Sequence, residues 1–174
     1  MVHASEKKIL VVDDEPDVRN FLAVCLEDAG FRVETAVDGV DALDKIDTCE
    51  PDLMTLDMVM PKMSGIKVIR RLRKIDKWAR LPVIVITAHS RDELGNDQIT
   101  GFNAMTSGLR PQIMMEKPIA PQNLIQTIAK ILNVEVNTEG VKNDNLVAER
   151  RSIIKMLNET NSDTLDKIRE MLKK

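Results

Sequence analysis

Short, almost unbroken apolar runs that stop on polar residues restrict this chain more than any other feature. ILVVDD at residues 9–14, LMTLD at 53–57 and LPVIVIT at 81–87 have strand length and little polar interruption. Such runs suit strands covered on both faces rather than strands with one wet side. Between them the spacing changes from strand to helix. Pro16 stands where a first helical turn tolerates a missing amide hydrogen, and Val18, Phe21, Leu22, Cys25 and Leu26 follow at intervals of three and four before Gly30 ends the pattern. A short strand at Arg32 to Ala36 and a helix from about Gly39 to Asp47 repeat the unit.

The strand at Leu53 to Asp57 leads through Met60 and Pro61 into a third helix, expected from Ser64 to Asp76 with Ile66, Ile69 and Leu72 inward. The run at Leu81 to Thr87 is rich in β-branched residues and reads as the fourth strand. A polar, glycine-punctuated stretch from His89 to Pro111 has room for one helix. Ile113 to Glu116 gives a short fifth strand, and a last helix carries Leu124, Ile125, Ile128, Ile131 and Leu132 on one face. Five strands alternating with five helices predict an α/β fold, a doubly wound five-stranded parallel sheet wrapped on both sides.

In such a sheet the carboxyl ends of all strands share one edge, and ligands bind where the strand order reverses. Asp13 and Asp14 end the first strand, Asp57 the third and Thr87 the fourth, and Lys117 follows the fifth. Singly these residues read as helix caps, strand formers or surface charges; arranged in order at strand ends they read as one cluster. Three carboxylates brought together repel one another unless a cation lies among them. Oxygen ligands without His or Cys favour Mg2+, which keeps several waters and shares its shell with phosphoryl groups. Thr87 and Lys117 then supply a hydroxyl and a positive charge for phosphoryl oxygens, and Asp57 becomes the nucleophile of an aspartyl phosphate.

The ordered set VVDD, TLDMVMPKMSG, VIVITAH and EKP, within about Lys7 to Asn133, resembles the receiver domain of two-component response regulators. The resemblance implies a flavodoxin-like, CheY-like fold and a phosphoacceptor switch rather than an enzyme. On this resemblance Asp57 takes a phosphoryl group from a sensor histidine kinase, and Asp13 and Asp14 hold Mg2+ with Asp57. It further implies that the backbone carbonyl of Val59 completes the metal site, that Thr87 and Lys117 bind phosphoryl oxygens beside a small Ala88, and that the Lys117–Pro118 bond is cis. Two departures stand out. Met114 occupies a position that is usually aromatic, three before the lysine, and the segment from Thr87 to Lys117 is long, with extra residues near Gly95 to Pro111. The extra length reads either as a tolerated surface loop or as a reshaped partner face. Val59 and His89, each two residues beyond a site residue, are expected beside the acceptor, where they would influence the approach of water.

Residues 1–133 are therefore expected to form the receiver, 134–144 a linker and 145–174 a short helical tail. Ile153, Ile154 and Leu157 form one apolar stripe of the tail, and Leu165, Ile168 and Leu172 another. They are expected to pack on the receiver or on a second chain as a homodimer. An output protein is the further expected partner. A net charge of -3 and three phenylalanines with one tryptophan give neither a basic footprint nor a stacking platform, so nucleic acid is not an expected partner. No apolar run reaches bilayer-spanning length, and HASEKK precedes a strand rather than a secretory core, which points to the cytoplasm and away from membranes. Cys25 and Cys49 lack metal-ligand spacing and read as core. The competing reading is a Mg2+-dependent phosphohydrolase with Asp57 or Asp13 as nucleophile. The acids that follow Asp13, Glu15 two on and Asp17 four on, fit that motif poorly.

Overall fold

The computed structural model describes residues 2–87 and 113–136. Its main sheet has five parallel strands: β2 (Lys8–Val12), β3 (Arg32–Ala36), β4 (Leu53–Asp57), β5 (Val83–Thr87) and β6 (Ile113–Glu116). Their order across the sheet is β3-β2-β4-β5-β6. The chain leaves β2 toward β3 on one side and returns to β4 on the other, so the order reverses between β2 and β4. Register is continuous across this junction, with Ile9 opposite Leu53 and Val12 opposite Leu56.

Alternation within the strands divides the core in two. Leu10 and Val12 of β2, Met54 and Leu56 of β4, and Val83 and Val85 of β5 face one side. There they meet Ala42 and Ile46 of α2 (Gly39–Cys49) and Val68, Ile69 and Leu72 of α3 (Gly65–Leu72). Ile9, Val11, Leu53, Ile84 and Ile86 face the other side. They meet Leu22 and Leu26 of α1 (Pro16–Asp28) and Leu124, Ile125 and Ile128 of α4 (Pro121–Leu132). The doubly wound sheet expected from the unbroken apolar runs is thus present. The edge strand β3 differs: Arg32 and Glu34 stay exposed, and among the described residues β3 pairs only with β2.

Local chemistry sets the element boundaries. Gly30, at φ +95°, takes the left-handed turn after α1, where a side chain would be strained. Asp38 caps α2 by accepting from the amides of Val40 and Asp41 at 2.9 and 3.0 Å. Helix α3 is shorter than its apolar spacing implies, stopping at Leu72 rather than continuing to Asp76. Beyond it the chain turns so that Trp78 is buried and its Nε1 donates to Asp47 Oδ1 at 2.8 Å. The Arg73 guanidinium donates to the carbonyls of Trp78 and Leu81 at 3.3 and 3.1 Å, and those bonds hold the turn. Strand β5 starts at Val83 rather than Leu81, since Pro82 has no amide to add to the ladder; its carbonyl still accepts from Met54 N at 3.0 Å.

One pair of strands has no counterpart in the sequence reading. β1 (Val2–His3) pairs in parallel with β7 (Val134–Glu135), so the first two residues of the expected linker form a strand. Asn133, left-handed at φ +52°, ends α4 and directs the chain into that pairing. The expected helix within His89 to Pro111 and the tail stripes lie outside the described residues.

Candidate functional site

At the junction of β2 and β4 the sheet edge gathers the acids that the strand ends promised. One carboxylate oxygen from each of Asp13, Asp14 and Asp57 lies within 4.8 Å of the others. Asp13 is 1% exposed and Asp57 5%, whereas Asp14 is partly open to solvent. Asp57 Oδ1 accepts from the amide of Val59 at 3.0 Å, and Asp13 Oδ1 from the amide of Glu15 at 2.9 Å. The first turn beyond each strand thereby fixes one oxygen and leaves the other for the site.

Lys117 closes the cluster. Its Nζ lies 2.8 Å from Asp57 Oδ2, 2.9 Å from Asp13 Oδ2 and 2.9 Å from Glu15 Oε1. Burial alone would lower the lysine's proton affinity, but the close contacts with the Asp57, Glu15 and Asp13 carboxylates outweigh it and hold the ammonium above the ordinary lysine range. Burial pushes the Asp13 carboxyl above its ordinary value, more than the ammonium and the Glu15 amide pull it down. Lys117 and Asp13 form a buried ion pair, with Nζ 2.9 Å from Oδ2. Three carboxylates that converge with only oxygen donors offer what a hard divalent cation requires, so the residues present fit Mg2+. Asp13, Asp14 and Asp57 would hold it.

Close packing builds the floor of the site. Gly65 opens α3, and a Cβ there would collide with the backbone carbonyl oxygen of Asp57 and lie 3.0 Å from Met58 Cα. Its amide donates to Met58 O at 3.1 Å. A second tie comes from α2, where Lys62 Nζ lies 2.6 Å from the buried Asp38 Oδ2. Lys62 adopts φ +62° between Asp57 and α3, so the acceptor loop is fastened to the cap of α2. The hydrogen bond from Lys62, with those from the Asp41 and Val40 amides, keeps the Asp38 carboxyl below its ordinary value.

The remaining site residues expected from sequence are placed unequally. Thr87 ends β5 opposite Glu116, one residue before Lys117, so its backbone reaches the same edge; its side chain lies outside the described residues, as do Ala88 and His89. Val59 contributes its amide to Asp57, and its side chain is 52% exposed beside the acceptor. The Lys117–Pro118 bond is cis. Met114 is partly buried against the core on the α2 and α3 side. Sequence reasoning missed Glu15 as a partner of Lys117. The signal was its place directly after the acidic pair and before Pro16, which puts it at the same edge.

The ammonium competes with any cation for these oxygens. Lys117→Met is therefore expected to tighten Mg2+ binding by about tenfold or more, because an ion pair at this range is worth several kcal/mol even at an effective dielectric near 20. Calorimetric titration of the full chain would measure it, and unchanged affinity would show that ammonium and cation occupy separate ground.

Comparison with known proteins agrees with this geometry. The family model described as "Response regulator receiver domain" matches residues 9–129. The alkaline phosphatase synthesis transcriptional regulatory protein PhoP of Bacillus subtilis (strain 168) is 34% identical over 143 residues, covering 80% of this chain and 55% of PhoP. Response regulator MprA of Mycobacterium sp. (strain KMS) is 37% identical over 133 residues, 76% of this chain and 54% of MprA. The chain thus spans about half the length of these two relatives. Among solved structures, the chemotaxis protein CheY4 of Vibrio cholerae superposes with a TM-score of 0.62 at 28% identity, covering 72% of this chain and 98% of that one. With the acidic cluster at the strand-order reversal, the sheet order and the matched family model in agreement, the chain belongs to the response regulator receiver domain family.

Proposed function

We propose that Asp57 takes a phosphoryl group from a sensor histidine kinase and that the modified domain then binds a different protein partner. The observation that carries this reading is the buried Asp57 held 2.8 Å from the Lys117 ammonium beside the carboxylates of Asp13 and Asp14. A carboxylate oxygen of Asp57 attacks phosphorus, the bond from phosphorus to the kinase imidazole nitrogen breaks, and its electron pair stays on that nitrogen. Asp13, Asp14, Asp57 and the carbonyl of Val59 would hold Mg2+, which supplies positive charge for the oxygens of the transferred group. Lys117 and the Thr87 hydroxyl bind the remaining phosphoryl oxygens. The Val59 amide, bonded to Asp57 Oδ1, orients the acceptor before the donor arrives.

The same reading makes residues 1–133 together with the paired strand β7 the receiver, the remainder of 134–144 a connection and 145–174 a tail that packs on the receiver or on a second copy. No described helix is long and apolar enough to cross a membrane, and we place the protein in the cytoplasm. PhoP is named as a transcriptional regulator; for this chain, at net charge -3, the proposed output is a protein contact rather than nucleic acid. Incubating the full chain with Mg2+ and a small phosphodonor, then mapping the added mass by peptide analysis, tests the proposal. One phosphoryl group on Asp57 is expected. A mass on another residue, or none, would overturn it, and steady-state turnover of a phosphate ester would favour the phosphohydrolase.

A further inference from the structure

We propose that Arg19 is a positioning residue for the metal site: its guanidinium holds the peptide from which Asp14 projects and so sets where the third carboxylate stands. This role rests on the Mg2+ reading above and extends it to a residue that offers the ion no oxygen. The three acids are not held alike. Asp57 Oδ1 accepts from the Val59 amide at 3.0 Å, Asp13 Oδ1 accepts from the Glu15 amide at 2.9 Å, and both carboxylates also face Lys117. Asp14 is partly open to solvent, and its carboxylate accepts no hydrogen bond among the described residues. Its place in the cluster is left to its backbone.

That backbone is fixed from α1. Val12 is the last residue of β2 to pair with β3 and β4, and beyond it the Asp13 amide still donates to Ala36 O at 3.2 Å. The Asp13 carbonyl takes its donor from the helix instead, with Arg19 Nη1 at 2.7 Å. A peptide unit is planar, so the direction of that carbonyl also sets the direction in which the Asp14 Cα leaves the strand. Arg19 is suited to this by its position. Its amide donates to Glu15 O at 2.9 Å in the first turn of α1, and a long side chain on a helix slants back toward the amino end. The guanidinium therefore returns to the strand end that the chain has just left. Its planar fork gives the bond a fixed direction that a flexible ammonium lacks.

Charge and position pull in opposite senses here. A guanidinium near a cation site repels the ion, so by charge alone its removal tightens binding, as expected for Lys117. By position its removal frees the Asp14 peptide, and binding weakens. Arg19→Met takes away charge and donor together while keeping a good helix former. Arg19→Lys keeps the charge and a donor, on a stem one bond shorter.

Calorimetric titration of the full chain with Mg2+ reads the affinity, and nuclear magnetic resonance of the metal-free chain reads the peptide. Arg19→Met is expected to bind Mg2+ about tenfold more weakly, the lower end of what is lost when a group supporting a metal ligand is removed. Arg19→Lys should lie closer to the unsubstituted protein than to Arg19→Met. The Asp13 carbonyl carbon and Asp14 amide resonances should move in Arg19→Met, while that of the Val59 amide, bonded to Asp57, stays in place. Unchanged or tighter Mg2+ binding in Arg19→Met would overturn the inference, as would Arg19→Lys as weak as Arg19→Met or a resonance change that spreads to Val59. Any of these leaves the receiver reading standing, because the unsubstituted chain still binds the ion. An unsubstituted chain that binds no Mg2+ would instead bring down the Mg2+ reading and this inference with it.

Discussion

Asp57→Asn is expected to lower phosphoryl uptake from a small phosphodonor by more than about 10^3-fold, the scale on which covalent chemistry fails once its nucleophile is gone. The amide oxygen is isosteric with the carboxylate but carries no charge to attack phosphorus. The fold should survive the change. Asp57 and Asp13 are two buried acids on one ammonium, and removing one charge relieves their mutual repulsion while Lys117 keeps Asp13 and Glu15. A thermal midpoint without metal that does not fall, together with vanished labelling, is the expected pair of results. Undiminished labelling would place the acceptor elsewhere.

Gly65→Ala should damage both stability and site. The added Cβ meets the Asp57 carbonyl oxygen and, at 3.0 Å, Met58 Cα, and neither is the end of a flexible side chain. Relief requires α3 to move off the loop or the end of β4 to bend. Overpacking of this kind costs about 1–3 kcal/mol, which for a domain of this size corresponds to a midpoint lower by roughly 3–10 °C. Because the displaced atoms belong to Asp57 itself, the surviving folded protein should also bind Mg2+ more weakly. Thermal denaturation with a parallel calorimetric titration checks both effects, and an unchanged midpoint would mean that the helix start yields more easily than its packing implies.

How much of this was legible in the sequence depends on the length scale of each signal. Unbroken apolar runs revealed the sheet and its two-sided cover because each strand commits several residues to burial, and strand-end residues converge once the strands are parallel. That argument brought Asp13, Asp14, Asp57 and Lys117 to one sheet edge, where the structure places them together. The end of α3 was hidden because Ile75 continues the spacing of Ile66, Ile69 and Leu72, yet the structure leaves it 41% exposed and turns at Arg73 to bury Trp78. Glu15 was hidden because its contact depends on the reach of one lysine side chain, which no periodicity encodes. The tie between Lys62 and Asp38 joins residues far apart in sequence through a left-handed backbone position that gives lysine no signature. Strands β1 and β7, at two residues each, are too short to carry a pattern.

That last pair has a mechanical consequence. β1 and β7 run in the same direction, side by side. Tension applied outward at Val2 and beyond Glu135 pulls the neighbouring strands in opposite senses along their length. The load falls on their hydrogen bonds in shear, together, instead of peeling them one at a time. A force transmitted through residues 2 and 135 therefore meets this small clasp before it reaches the sheet that holds Asp57.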